Sequence, residues 1–198
     1  MRPAELADCD DLTLLARARC DDRAAFAQLV RRHQSAALRV AAVICGSTTE
    51  AEDIVQDSMV DVHRHLGAYR GTGSVRAWML RIVANHAKNH VRGRVRRIRR
   101  DDHHARLHLR TTEGADQATD VRLEHEALAA ALRRLPDHDR EVLACRFVTG
   151  LSEAETAEVL GTPLGTVKSR TSRALERLQR QLETTLTVFG EKTDDRPR

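Results

Sequence analysis

The sequence is poor in aromatic residues: one Trp, one Tyr and three Phe make up 3% of 198 positions. A chain that stacked unpaired bases would have few rings to do it with. Its four cysteines, Cys9, Cys20, Cys45 and Cys145, lie far apart with no C-x-x-C. That spacing excludes a zinc knuckle or a thioredoxin-like pair and suits small apolar side chains in a reducing compartment. No apolar run approaches the roughly 18 residues that span a bilayer, and the N-terminus MRPAELADCDD lacks a signal peptide's apolar core. A soluble cytoplasmic protein without membrane insertion is expected. No nucleophile–base arrangement, phosphate-cradling loop or paired-carboxylate pocket is readable, so neither an enzyme nor a cofactor is expected. His86 and His90 lie four apart, but no acid completes a H-E-x-x-H pattern and the segment is cationic, so no metal is expected either.

What the sequence does have is unevenly placed charge. Net charge is only +4, yet residues 76–100 hold nine Arg or Lys and no acid, while residues 101–150 hold seven bases against ten acids. Such a basic stretch reads as a polyanion surface or, more plainly, as a solvated helix face. Apolar residues recur at helical spacing from Asp11 to about Val95, as in Phe26, Leu29, Val30 and then Leu38, Val40, Ala41, Ile44, and sustained period-two alternation is missing. Breaks fall at residues 20–22, 46–49 and 67–74. Between residues 101 and 120 the apolar period stops and polar residues dominate, which predicts a flexible linker. Four more helices follow, punctuated by Leu135-Pro136-Asp137, Gly150 and Gly161-Thr162-Pro163. The expected fold is all-α, with two small helical domains at 11–100 and 121–187.

The stretch LSEAETAEVLGTPLGTVKSRTSRALERL, residues 151–178, is the most specific. Ser152 followed by Glu155 fits a capping box. Gly161 suits a left-handed helix end, Thr162 is expected to cap the next helix, and Pro163 fits its first position. This predicts a helix-turn-helix. Val167, Thr171, Ala174, Leu175, Leu178 and Leu182 form one stripe, leaving Lys168, Ser169, Ser172, Arg173 and Glu176 opposite. Such a face suits the major groove of DNA, and it also suits an ordinary amphipathic surface helix.

Residues 135–178, LPDHDREVLACRFVTGLSEAETAEVLGTPLGTVKSRTSRALERL, resemble the promoter −35-binding domain of bacterial extracytoplasmic-function sigma factors. Gly165-Thr-Val-Lys-Ser-Arg170 is the most diagnostic piece. Thr156 and Thr171 depart from it, standing where the family usually has a large aliphatic residue. The segments DDRAAFAQLVRRHQSAALRVA, EAEDIVQDSMVDVHRHL and YRGTGSVRAWMLRIVANHAKNHVRGRVRR resemble, in order, the sigma-factor domain that grips RNA polymerase and opens the −10 element.

The resemblance implies an alternative sigma factor, with core RNA polymerase (its largest-subunit coiled coil and its flap), promoter DNA and an anti-sigma factor as partners. Lys168, Ser169, Ser172 and Arg173 are then expected at the −35 element. Glu52, Asp53, Gln56 and Asp57 form an acidic and amide turn suited to a basic partner helix, with Ile54, Val55 and Met59 as apolar anchors. An isolated acidic turn equally fits compensation of a helix dipole; the resemblance assigns it to polymerase. Tyr69, Arg70, Asn85, Lys88 and Asn89 fall on the segment that captures −10 bases in the family, where Asn89 replaces a common Asp. Trp78, flanked by Leu80, Ile82 and Val83, reads as core. Two competing readings are a helix-turn-helix regulator binding duplex DNA without polymerase, and a metal-dependent enzyme built on the scattered histidines.

Overall fold

The computed structural model describes residues 6–101 and 120–193, and every regular element in them is helical. Capping chemistry sets the first boundaries. Asp10 accepts from the Thr13 amide at 2.7 Å to open α1, Asp11–Ala18. Asp22 accepts from the Ala24 and Ala25 amides, both at 3.0 Å, to open α2, Arg23–Cys45. That helix stops at Gly46, whose φ of 78° is the left-handed conformation glycine adopts without steric cost. Ser47 caps α3, Thr48–Arg64. After a single 3-10 turn, Leu66–Ala68, and the glycine-rich loop, Ser74 accepts from the Ala77 amide at 3.1 Å to begin α4, Val75–Asp101. The breaks expected at 20–22, 46–49 and 67–74 each fall at a helix boundary, although Thr48 and Thr49 already belong to α3 and residues 67–68 to the 3-10 turn.

The N-terminal core is assembled from fully buried Leu14, Leu29, Val40, Val62, Leu80 and Val83, each contributing about 1.5–3 kcal/mol through burial. Ala25, Ala37, Ala41, Ala77, Ala84 and Ala87 are also sealed, and their small size lets α2, α3 and α4 approach closely. Trp78 packs on this core as expected, edge-on to Tyr69 with ring centroids 5.7 Å apart.

The second region contains the four expected helices: α5 (Asp120–Arg134), α6 (Asp137–Leu143), α7 (Glu153–Leu160) and α8 (Leu164–Thr193). Helix α6 runs on into a wider π-type turn over Ala144–Val148, where the Thr149 amide bonds the Ala144 carbonyl at 3.1 Å. A small core of Leu135, Val142, Leu143, Val167 and Ala174 joins α6 and α8. Charged groups reinforce it. Asp139, 1% exposed, accepts from Arg177 at 2.5 Å, and buried Arg140 bonds the Arg133 carbonyl across the Leu135-Pro136 turn.

The two regions do not sit apart. Ala144, Cys145, Leu151 and Val159 from the second are buried in the same core as the first. The linker expected at 101–120 falls almost wholly on residues 102–119, outside the described residues.

Candidate functional site

The helix-turn-helix forms by the local chemistry expected of it, with one exception. Ser152 and Glu155 complete a capping box, the Ser152 amide donating to Glu155 at 2.9 Å and the Glu155 amide donating to Ser152 at 3.2 Å. The Ser152 amide foremost, then the Ser152 and Ser74 hydroxyls, hold the Glu155 carboxyl below its ordinary range. Gly161 ends α7 with φ 63°. Thr162, however, does not cap α8: its hydroxyl is buried and makes no hydrogen bond. The helix starts instead from the Pro163 carbonyl, which accepts from the Val167 amide at 3.1 Å, because proline's fixed φ already suits a helix entry.

On α8, Val167 and Ala174 are sealed against α6, and Thr171, Leu178 and Leu182 are half-buried. Leu175 departs from the predicted stripe and is 41% exposed. Lys168, Ser169, Ser172, Arg173 and Glu176 are all exposed on the other side. Arg173 is steadied by the Ser169 carbonyl one turn back at 3.1 Å, and Lys168 lies 3.7 Å from Glu153. Both cations therefore face solvent, anchored but accessible.

The acidic turn of α3 is equally open: Glu52, Asp53, Gln56 and Asp57 are exposed. Glu50 occupies the first turn of α3, so it is the residue placed to balance the helix dipole, an effect that fades within one turn. The proposed anchors need correction. Ile54, Val55 and Met59 are at most 8% exposed because they turn into the helical bundle. The open apolar surface beside the acids is a groove between α2 and α3 of about 890 Å³, lined by Phe26, Val30, Leu38 and Val60 with edges of Val55 and Met59. Phe26 and His63 meet edge-on across it at 4.9 Å. The sequence marked Phe26 and Val30 only as apolar residues at helical spacing; they pack partly on the core, and Val60 on the same face is 45% exposed.

The loop and basic helix present a mixed surface. Arg70, Asn85 and Asn89 are exposed. Tyr69 is 6% exposed, and its hydroxyl donates to the Gly73 carbonyl at 2.8 Å. Arg19, not singled out from sequence, clamps this loop by donating to the carbonyls of Leu66 at 2.9 Å and Tyr69 at 2.5 Å. Lys88 is largely covered and pairs with Glu141 of α6 at 3.6 Å. His86 and His90 are used separately, His86 with Asp61 at 2.8 Å and His90 with Glu50 at 3.2 Å. The His86 bond is the main reason the Asp61 carboxyl lies below its ordinary range.

Comparison with known proteins gives these surfaces a context. The sigma-70 region 2 family matches residues 29–97, and the sigma-70 region 4 family matches residues 125–178. The chain belongs to the sigma-70 family. Among its relatives, the extracytoplasmic-function sigma factor SigM of Mycobacterium tuberculosis is 37% identical over 173 residues, covering 87% of this chain and 84% of the relative. The sigma-H factor of Pseudomonas aeruginosa is 32% identical over 185 residues, covering 87% and 94%. A structure of CnrH in complex with the cytosolic domain of CnrY superposes with TM-score 0.68 at 29% identity, over 88% of this chain and 97% of that one. The sigma factor RpoE of Bartonella quintana, solved with the anti-sigma factor NepR, gives 0.63 at 25% identity, over 80% and 96%.

The chain is thus an alternative sigma factor of the extracytoplasmic-function type, which binds core RNA polymerase and directs promoter-specific transcription initiation. Sigma factors are DNA-binding initiation factors rather than enzymes. A duplex-DNA regulator working without polymerase is not favoured, since region 2 accompanies the helix-turn-helix. Among the described residues no helix is long and apolar enough to cross a membrane, and no group of three His, Cys, Asp or Glu is placed to hold a metal.

Proposed function

We propose a division of labour over the sigma factor's surfaces. Lys168, Ser169, Ser172 and Arg173 read the −35 duplex, with Arg173 toward base edges and Lys168 toward phosphate. Arg70, Asn85, Lys88 and Asn89, with Tyr69 once its ring is released, hold the unpaired −10 strand. Glu52, Asp53, Gln56 and Asp57 meet the basic coiled coil of the largest polymerase subunit, and the C-terminal domain meets the flap. The working domains are 11–100 and 121–187, joined by 101–120. An anti-sigma factor, like the one bound to RpoE of B. quintana, holds the protein inactive in the cytoplasm.

One observation carries this reading: four short or cationic side chains share the open face of α8 while Val167 and Ala174 fix the opposite face in the domain core. The test is run-off transcription with purified core polymerase. Charge reversal by Asp53→Lys lowers core binding while helicity is retained. Asn85→Ala leaves a closed complex at the −35 element but reduces permanganate-reactive thymine near the start site. Undiminished reactivity refutes the −10 assignment, and unfolding of Asp53→Lys refutes the interface assignment.

A further inference from the structure

A left-handed corner and one arginine fix the main chain where the glycine-rich loop begins. Helix α1 ends at Arg19, and the chain turns toward α2 through Asp21, whose φ of 60° makes it the one non-glycine at positive φ among the described residues. An aspartate in that conformation is uncommon and persists where its surroundings impose it. Asp22 imposes it from both sides, capping α2 with one carboxylate oxygen and holding the Arg17 guanidinium with the other at 2.5 and 2.8 Å. The corner aims Arg19 at the 3-10 turn. Its Nε donates to the Leu66 carbonyl at 2.9 Å and its Nη2 to the Tyr69 carbonyl at 2.5 Å, so one planar guanidinium spans the turn.

Beyond that turn the chain leaves the core. Leu66 and Tyr69 are buried, whereas Arg70, Gly71, Thr72 and Gly73 are exposed. Gly71 has a φ of 78° with open space where a Cβ would be, so its glycine answers to backbone shape rather than to crowding. The shape of these four residues matters to whatever binds them and little to the core. Arg19 grips main-chain carbonyls, and its hold does not depend on where the Tyr69 ring lies. We infer that Arg19 is a positioning residue for −10 recognition: it touches no DNA, and through the Leu66 and Tyr69 carbonyls it keeps the loop in the shape that discriminates a captured base. The inference rests on the −10 assignment of this loop made above. A loop ordered before the strand arrives is spared the cost of ordering on binding, and losing that order is expected to lower base discrimination about three- to tenfold.

Holoenzyme made from the full chain tests this on a template with the −35 element and a pre-opened bubble whose non-template strand is randomised; the bound DNA is sequenced. The parent is expected to enrich one base at a bubble position, and Arg19→Lys and Arg19→Gln are both expected to lose that enrichment about three- to tenfold. Lysine keeps the charge but lacks the fork that reaches two carbonyls, so parental enrichment in Arg19→Lys overturns the inference. Salt titration separates positioning from phosphate contact. Loss of a phosphate contact makes the dependence of log affinity on log salt shallower by about 0.7 for a single strand. An unchanged slope is expected of Arg19→Gln, and a shallower one overturns the inference. Gly71→Ala keeps Arg19 but strains the loop, and it is expected to lose the same enrichment; retained enrichment there overturns the role of loop shape. Helicity lost in both Arg19 variants assigns the arginine to the fold and overturns the inference as well. Failure of the −10 assignment is recognised separately, by undiminished permanganate reactivity in Asn85→Ala.

Discussion

The two basic surfaces of this sigma factor are displayed differently. On α8 the cations stand in solvent, fixed by contacts within the same or the adjoining helix, such as Arg173 to the Ser169 carbonyl. On α4 and its loop, Lys88 is paired to another domain and Tyr69 is turned into the core. A duplex can meet the first surface without rearrangement, because its phosphates and groove edges are already displayed. A single strand exists only after melting, and on the surface proposed to hold it Arg70, Asn85 and Asn89 are open while Tyr69 and Lys88 are engaged within the chain. On the roles proposed above, the −35 side chains are displayed in the free chain while two of the −10 side chains are engaged within it.

The comparison is broken most strongly by dissolving the platform under the open face. Arg177→Met removes the cation bonded to buried Asp139 at 2.5 Å and leaves its carboxylate, 1% exposed, with only the His138 ring 3.3 Å away. A loss of about 2–3 kcal/mol of C-terminal domain stability is expected, moderated because Arg177 itself reaches solvent. Urea unfolding followed by circular dichroism measures it, and −35 binding falls with it.

Next in size, Arg173→Ala is expected to weaken −35 duplex binding by about 1–3 kcal/mol and to relax selectivity at one base position. Fluorescence anisotropy over a set of single-base variants distinguishes this from phosphate contact, which lowers affinity equally on every sequence.

Thr156 and Thr171 sharpen the comparison in the opposite direction. Both hydroxyls are buried without a hydrogen-bond partner, at the two positions where the sequence departs from the family's aliphatic habit. Replacing either by the similarly shaped valine removes a desolvated hydroxyl, and each change is expected to stabilise the domain by about 1 kcal/mol in thermal unfolding.

The smallest effect belongs to the N-terminal domain and to pH. Burial, with help from Arg76 and Arg32, holds the buried His33 imidazole below its ordinary pKa despite its 2.8 Å bond to Asp11. As pH falls below about 6.5, the unfolded chain takes up this proton before the folded one does. Stability is thus full above that pH and declines as the pH drops toward the folded value. His33→Gln is expected to flatten the decline in a pH series of unfolding midpoints.

Local chemistry was legible in the sequence because it is written within a few residues. The Ser152–Glu155 capping box, the Gly161 helix end, the breaks at 20–22, 46–49 and 67–74 and the all-helical class needed no tertiary information. What spacing does not reveal is which neighbour an apolar face meets. Periodicity marked Ile54, Val55 and Met59 as apolar, but only packing decides that they turn inward while Val60 and Phe26 line a groove. Thr162 had the right residue type for a cap, yet its hydroxyl is buried without a partner beside a proline already shaped for the role. The long-range bonds, Arg19 to the loop carbonyls and Glu155 to Ser74, join residues 47 to 81 positions apart and leave no local signature.

Cys145 gives the domain seam a chemical clock. It is fully buried between the two regions, and burial pushes its thiol up to about 12, so at neutral pH it is neither ionised nor reachable by an alkylating reagent. Cys20, exposed on the surface, is open to the same reagent. The delay between modification of Cys20 and of Cys145 in one untouched polypeptide therefore times how often the seam opens, without any label or mutation having been introduced.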